Sequence, residues 1–306
     1  MPKLFITLII SLMVLGSCQW LSPADEPIAL DETQVGIAVQ HTLEHGSYWQ
    51  YIPPDIEQPA TVLVVVHGTV GDSEIAIDTA ATMLELWRET ADQEGVVLIA
   101  PVFDNDRYGG RAGPGGGYRG LYGRDVRADE FLLQILNNVR DTIWVADSFY
   151  LYGHSAGGQF VNRFVVMHPA RIKRAVISAA GFYAYPNPDV VWADGMKPLQ
   201  RGFIWCDECP EVDVEITPNP DGWLKAAALP IAVVVGEQDT ATYERLPPGQ
   251  LGTNPVDNGW AWVEAMKQYA AQEESDFNMT FVLVAEAGHN ARQTLPVSRQ
   301  YLFDTP

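Results

Sequence analysis

The sequence predicts an α/β protein built on a mostly parallel sheet with helices on both faces. Short apolar runs rich in β-branched residues alternate along the chain with longer segments of helical periodicity. The apolar runs lack polar alternation, as expected of strands that are buried on both faces. Strands that are separated by helices pair in parallel, because each helix returns the chain to the same end of the sheet.

The elements follow from these two patterns in chain order. We expect a hairpin to open the fold and Gly95 to end the first long helix, because glycine is a helix stop signal. The predicted strands span residues 36–43, 46–52, 61–66, 96–100, 149–152, 175–178, 231–235 and 280–284. The predicted helices span residues 76–94, 127–143, 156–168, 259–273 and 290–303.

Two segments interrupt the alternation. Residues 104–124 contain eight glycines, and residues 182–228 form an insert rich in proline and aromatic residues. Both follow strands and are therefore expected at the carboxyl edge of the sheet, where open α/β sheets bind ligands. The glycine-rich segment lacks the Gly-Lys-Ser/Thr of a phosphate-binding loop, so we expect a mobile active-site loop. The rings of the insert either bind an acyl, aryl or sugar group or pack the insert onto the sheet.

The charge balance limits the partners of the protein. The 306 residues include 19 Lys and Arg and 39 Asp and Glu, which gives a net charge of −20. Nucleic-acid binding relies on Lys and Arg, so this charge argues against it, as it does against electrostatic docking on anionic lipid. A neutral or cationic substrate is tolerated, whereas a polyanion would be repelled.

The N-terminus has the pattern of an export signal. Lys3 precedes twelve mostly apolar residues, too few for a membrane-spanning helix, and Leu15-Gly16-Ser17-Cys18 resembles a bacterial lipobox. The resemblance implies cleavage before Cys18 and acylation of its thiol; the alternative is a plain secretory signal. We therefore expect a signal peptide at 1–17, a lipidated tether at 18–34 and one domain at 35–306. The expected location is outside the cytoplasmic membrane, as a bacterial lipoprotein on the periplasmic or cell-surface side that contacts membrane only through its lipid anchor.

Two further cysteines, Cys206 and Cys209, lie in the insert. Export favours a disulfide between them. The spacing also occurs in thioredoxin-like redox motifs and in metal sites. However, Asp207 and Glu208 between the thiols oppose thiolate formation, and a metal site needs more ligands than one such pair. We expect a structural disulfide.

A nucleophile motif lies between a predicted strand and a predicted helix. Gly153-His154-Ser155-Ala156-Gly157 has the G-x-S-x-G pattern in the strand–turn–helix setting that this motif requires. The sharp turn projects the Ser155 hydroxyl from the sheet edge, and the glycines leave room where a Cβ would clash with backbone. Ser155 is the predicted nucleophile.

A serine hydroxyl needs a base that is held by an acid. His289 follows the final predicted strand, where a loop can bring its imidazole over the serine turn, whereas we expect the side chain of His154 to point away from the substrate. Asp239 follows the strand at 231–235 and is the predicted acid, with Glu237 and Asp257 as rivals.

Two backbone amides are predicted to bind the oxyanion. One is the amide of Ala156, which follows the nucleophile, and the other is the amide of Thr69 in the loop after the strand at 61–66. Gly68 allows that loop to turn an amide inward. His67 is expected to be a packed structural histidine.

These motifs together resemble the α/β-hydrolase superfamily. The resemblance rests on His67-Gly68, the Ser155 motif, Gly236-Glu237-Gln238-Asp239 and Gly288-His289, in the order Ser, Asp, His. It implies an α/β-hydrolase fold with an eight-stranded sheet and a triad of Ser155, His289 and Asp239. The single-domain layout is similar to secreted esterases of the polyhydroxybutyrate-depolymerase and feruloyl/acetyl-esterase type.

The function predicted from this pattern is hydrolysis of a carboxylic ester, in a small molecule or a polymer, through an acyl-enzyme. No cofactor or metal is required by this chemistry. Two alternatives remain open from sequence: a peptidase or amidase with the same triad, and a lipid-anchored, non-catalytic binding module on a hydrolase fold.

Overall fold

Eight strands form one sheet at the centre of the protein. The computed structural model describes residues 29–70, 73–109, 116–200 and 215–304. The strand order is β1-β2-β4-β3-β5-β6-β7-β8; β2 runs antiparallel to both of its neighbours, and β3 to β8 are parallel. The strands are β1 (Ala38–Leu43), β2 (Gly46–Tyr51), β3 (Val62–Val66), β4 (Val97–Pro101), β5 (Phe149–His154), β6 (Ile172–Ser178), β7 (Ile231–Gly236) and β8 (Met279–Val284).

Helices cover both faces of the sheet. The helices are α1 (Ser73–Glu94), α2 (Asn105–Tyr108), α3 (Ala128–Arg140), α4 (Ala156–Met167), α5 (Gly222–Ala227), α6 (Pro255–Gln272) and α7 (Ala291–Phe303). The core on one face is filled from α1 and α7, and the core on the other face from α3, α4, α5 and α6. The predicted fold class, a mostly parallel sheet between two helical layers, is confirmed. Among the described residues, no helix is both long and apolar enough to cross a membrane.

The central strands are buried on both faces, as their apolar runs predict. Every residue of β3, β4 and β7 is buried. Full burial of one Val, Leu or Ile side chain stabilises a fold by roughly 1.5–3 kcal/mol, so these strands supply much of the core energy. They also hold the loops at their carboxyl ends on a rigid support.

The predicted elements are found with small shifts at their ends. The largest shift is at α6, which begins at Pro255 rather than at the predicted residue 259. Asn254 explains the earlier start, because its side chain accepts a hydrogen bond from the Asp257 amide and Pro255 occupies the first turn. The short helices α2 and α5 and two 3₁₀ turns, Gly117–Gly120 and Pro169–Arg171, were not predicted.

The described rings of the insert are packed in the core. The indole nitrogens of Trp223 and Trp262 donate to the carbonyl oxygen of Ala184 at 3.0 and 2.9 Å, which ties Ala184 to α5 within the insert and to α6 outside it. Of the two readings of the insert, these contacts favour packing onto the sheet. The buried rings are Phe182, Tyr183, Tyr185, Trp192 and Trp223.

The glycine-rich segment differs from the mobile loop that its composition predicts. In its described parts, residues 117–122 are all buried, and so is Tyr108. Gly117 has φ +58°, and a Cβ there would lie 2.3 Å from the Gly109 carbonyl oxygen, so its backbone packs where only glycine fits. The expectation of a mobile loop was wrong for these parts, because aromatic side chains between the glycines anchor them in the core.

Of the predicted tether at 18–34, only residues 29–34 are described, and three further predictions lie wholly outside the described residues. They are the signal peptide at 1–17, the acylated Cys18, and the disulfide between Cys206 and Cys209.

Candidate active site

Ser155 lies on the sharp turn between β5 and α4. Its backbone has φ 57° and ψ −116°, a strained conformation that non-glycine residues rarely adopt. Two glycines make the turn possible: a Cβ on Gly153 would lie 2.2 Å from the Gly157 carbonyl oxygen, and one on Gly157 would lie 2.2 Å from the Val66 carbonyl oxygen. The predicted reason for both glycines is therefore confirmed.

His289 reaches Ser155 from the loop between β8 and α7. Its Nε2 lies 2.9 Å from the Ser155 Oγ, and its Nδ1 lies 2.7 Å from an Asp239 carboxylate oxygen. Because the carboxylate can only accept, Nδ1 carries the proton and Nε2 is free to accept from the serine hydroxyl. The structure thus brings the three predicted triad residues into one hydrogen-bonded chain.

Asp239 is the acid that contacts His289, and neither rival replaces it. The Asp239 amide donates to the Gly236 carbonyl oxygen at 3.0 Å, so a tight turn at the end of β7 fixes its direction. The Glu237 carboxylate is exposed and accepts from the Glu286 amide at 3.2 Å. The Asp257 carboxylate accepts from Asn254 at the start of α6.

The predicted oxyanion-binding amides flank Ser155. Ala156 is the first residue of α4, where a backbone amide has no acceptor within its own helix. On the other side, a Cβ built on Gly68 would lie 3.6 Å from the Ser155 Cβ, which places the Gly68–Thr69 peptide beside the serine. The role of the two amides stays a prediction.

Solved structures share this architecture over most of the chain. A poly(3-hydroxybutyrate) depolymerase from Bordetella parapertussis has a TM-score of 0.68 at 20% identity, covering 89% of this chain and 92% of that one. A poly(aspartic acid) hydrolase from Sphingomonas sp. KT-1 has a TM-score of 0.67 at 19% identity, covering 87% and 98%. An S-formylglutathione hydrolase from Agrobacterium tumefaciens has a TM-score of 0.53 at 14% identity, covering 90% and 99%.

The protein has the α/β-hydrolase fold. No family model and no curated protein sequence matches the chain. The fold is therefore established by the structural likeness.

His67 has the structural role that the sequence predicts for the first loop of this α/β-hydrolase fold. It is fully buried, and its Nε2 accepts from the Phe103 amide at 3.0 Å. Nδ1 therefore carries the proton and donates to the Gly68 carbonyl oxygen at 2.7 Å. Burial lowers the pKa of His67 to about 4, so the ring is neutral at pH 7.

His154 lies closer to the triad than the sequence predicts. Its ring centroid is 5.0 Å from that of His289, and its Nδ1 lies 3.1 Å from the Ser178 hydroxyl oxygen. Burial, followed by the charge of His289, lowers the pKa of His154 to about 4. A neutral, buried ring thus contacts the imidazole of His289.

Sequence reasoning missed two residues that contact the loop at residues 67–69, which carries the predicted oxyanion amide of Thr69 and is called the oxyanion loop below. Tyr118 and Arg119 come from the 3₁₀ turn of the glycine-rich segment and contact Gly68 and Thr69. Their contacts join positions 50 apart, and glycine-rich composition gave no sign that these side chains are buried.

A metal centre has no support in the described part of the chain. Residues 29–70, 73–109, 116–200 and 215–304 contain no group of three or more His, Cys, Asp or Glu side chains that could hold a metal ion.

Proposed function

We propose that the protein is a serine hydrolase that cleaves carboxylic esters through an acyl-enzyme. The observation that carries this proposal is the unbroken hydrogen-bonded chain from Ser155 through His289 to Asp239. A non-catalytic binding module would have no need of a serine held in a strained turn, with its hydroxyl bonded to an imidazole that a buried carboxylate orients.

The geometry supports the following steps. His289 Nε2 takes the hydroxyl proton as the Ser155 Oγ attacks the ester carbonyl carbon, and the amides of Thr69 and Ala156 bind the negative oxygen that forms. The imidazolium, stabilised by Asp239, then gives its proton to the departing alkoxide, which leaves as the alcohol. Water activated by His289 attacks the acyl-enzyme, and the acid is released with Ser155 restored.

The substrate class follows from charge and from the neighbours in fold. Two of the proteins with this fold are named for the hydrolysis of an ester or a thioester. Poly(3-hydroxybutyrate) is a neutral polyester, and S-formylglutathione is a thioester. Poly(aspartic acid) is a polyanion, which a protein with a net charge of −20 repels. We therefore favour a neutral ester, in a small molecule or a polymer, over an anionic amide polymer.

Loss of the nucleophile tests the proposal. We expect Ser155→Ala to abolish both p-nitrophenyl acetate cleavage and covalent labelling by a fluorophosphonate, because only an activated serine reacts with this probe. Heat-denatured wild-type protein is the control for labelling that does not depend on the folded site. Full activity in Ser155→Ala, or no labelling of folded wild-type protein, contradicts the proposal.

Export and lipid anchoring are proposed from the sequence pattern that ends at Cys18. An acyl chain on this cysteine would hold the enzyme on a membrane, and a disulfide between Cys206 and Cys209 fits an oxidising compartment. We expect Cys18→Ser to move the protein from the membrane fraction to the soluble fraction.

We expect intact protein to resist thiol alkylation at Cys206 and Cys209 until it is reduced.

A further inference from the structure

The 3₁₀ turn Gly117–Gly120 packs against the loop that carries the proposed oxyanion amide. The Tyr118 hydroxyl donates to the Gly68 carbonyl oxygen at 2.8 Å and lies 3.2 Å from that of His67. The next residue, Arg119, donates from Nη2 to the Thr69 hydroxyl oxygen at 2.9 Å. Tyr118 is 0% exposed and Arg119 is 4% exposed, so water competes little for these bonds.

Two buried donors fix the direction of one carbonyl group. The Gly68 carbonyl oxygen accepts from the Tyr118 hydroxyl at 2.8 Å and from the His67 Nδ1–H at 2.7 Å. His67 is itself fixed, because its Nε2 accepts from the Phe103 amide. The carbonyl therefore points into the core and has both of its acceptor positions occupied.

The direction of this carbonyl sets the direction of the next amide. The Gly68–Thr69 peptide bond is trans, so the Thr69 N–H points opposite to the Gly68 carbonyl and away from Tyr118 and His67. Gly68 itself borders Ser155, with 3.6 Å between its ideal Cβ and the Ser155 Cβ. Holding the carbonyl inward thus turns the Thr69 amide away from Tyr118 and His67, at a point of the loop that borders Ser155.

We propose that Tyr118 and Arg119 are positioning residues that aim the Thr69 amide at the oxyanion. This inference rests on the proposed ester hydrolysis and adds a role for the glycine-rich segment. Tyr118 fixes the carbonyl side of the Gly68–Thr69 peptide, and Arg119 fixes the Thr69 side chain on the other side.

A misaimed amide should lower kcat more than it raises KM. The negative oxygen forms only as the carbonyl becomes tetrahedral and is absent from the bound substrate, so a donor directed at it adds little to substrate binding. Loss of a whole oxyanion donor costs about 100- to 1,000-fold in kcat in comparable enzymes. Tyr118→Phe leaves the Thr69 amide present but less well held, so we expect a smaller loss of roughly tenfold.

The experiment compares Tyr118→Phe with Tyr108→Phe. Tyr108 is a buried tyrosine of the same segment, and its hydroxyl donates to the His45 carbonyl oxygen at 2.7 Å, away from the oxyanion loop. We expect Tyr118→Phe alone to lower kcat and to weaken binding of phenylboronic acid, which forms a tetrahedral adduct with the serine, by a similar factor. KM should change by less than about twofold. Thermal unfolding of both variants separates this effect from a general loss of stability.

Thr69→Val provides a second test that does not depend on a buried substitution. Thr69 is exposed, and valine removes the hydroxyl that Arg119 holds while keeping the shape and the backbone amide. We expect a severalfold loss of kcat with little change in unfolding temperature.

The outcomes separate this inference from the proposed function. If Tyr118→Phe and Thr69→Val both keep the wild-type kcat and the wild-type affinity for the boronic acid, the inference is wrong. The proposed ester hydrolysis is unaffected by that result. Equal losses of kcat in Tyr118→Phe and Tyr108→Phe also overturn it, because they indicate a structural effect. A wild-type protein that does not react with a fluorophosphonate instead contradicts the proposed function itself.

Discussion

A single carboxylate oxygen connects the turn after β7 to the imidazole of His289. Asp239 Oδ2 lies 2.7 Å from His289 Nδ1, and the Asp239 side chain is 6% exposed. The amide of asparagine has nearly the same shape but cannot stabilise the imidazolium, and its NH₂ can donate to Nδ1 and select the wrong tautomer. We therefore expect the role of this residue to be electrostatic and orienting rather than steric.

We expect Asp239→Asn to lower kcat by about 10³- to 10⁴-fold while the unfolding temperature changes little. Steady-state kinetics with p-nitrophenyl acetate and a thermal melt measure the two effects. Glu237→Gln is the matched control, because Glu237 is also a carboxylate after β7 but is directed to the Glu286 amide. A larger loss of kcat in Glu237→Gln than in Asp239→Asn would show that Glu237, and not Asp239, is the acid.

The site residues could be predicted where a local pattern carries them. Ser155 lies in a five-residue motif with a required setting, and His289 and Asp239 directly follow predicted strands. Tyr118 and Arg119 have no such pattern, because their importance depends on a contact with a loop 50 positions away. Packing between distant segments is set by the whole fold, and no local spacing of residue types records it.

At the scale of elements, α4 approaches β3 closely at one glycine. A Cβ at position 157 would lie 2.2 Å from the Val66 carbonyl oxygen and 2.6 Å from that of His67. Both contacts are with backbone, so no side chain can move aside to relieve them. The separation between α4 and the oxyanion loop therefore depends on Gly157.

We expect Gly157→Ala to destabilise the protein by about 3 kcal/mol or more and to abolish activity, because α4 must move away from β3 and carries Ala156 with it. Urea unfolding and ester cleavage measure these effects. Gly288→Ala is the control, since the nearest atom to its added Cβ is 4.0 Å away. A Gly157→Ala protein as stable as Gly288→Ala would show that α4 tolerates the displacement.

Strands with a continuous apolar run and helices with several turns of helical spacing could be predicted, and short helices could not. The strands β3 and β7 are continuous apolar runs, and α1 has 22 residues with helical spacing, so local pattern and burial agree. By contrast, α5 has six residues inside the insert. It is held by tertiary contacts such as the bond from Trp223 Nε1 to the Ala184 carbonyl oxygen. A helix this short has no stable periodicity of its own.

At the scale of the whole molecule, buried titratable groups make stability depend on pH. Burial lowers the pKa of His67 and of His154 from 6.5 to about 4. Between these values the unfolded chain binds more protons than the folded one, so stability rises with pH. Asp194 acts in the opposite direction, because burial raises its pKa from 3.8 to about 6 despite the nearby Arg163.

We expect the free energy of unfolding to be larger at pH 6.5 than at pH 4.5, because two histidines outweigh one aspartate. Asp194→Asn removes the opposing group and should make the rise with pH steeper. Urea unfolding of both proteins at the two pH values measures the difference. Greater stability of the wild-type protein at pH 4.5 would mean that the two rings accept protons in the folded state.

The hydroxyl of Ser155 and the imidazole of His289 come from positions 134 apart, and the imidazole lies between the final described strand and helix. A growing polypeptide therefore makes the serine turn long before it makes the base. Ribosome-bound intermediates that end before His289 contain Ser155 without the base that would activate it. We therefore expect ester turnover to begin only once the segment that carries His289 has packed against the sheet. The onset of product formation during refolding would report that step.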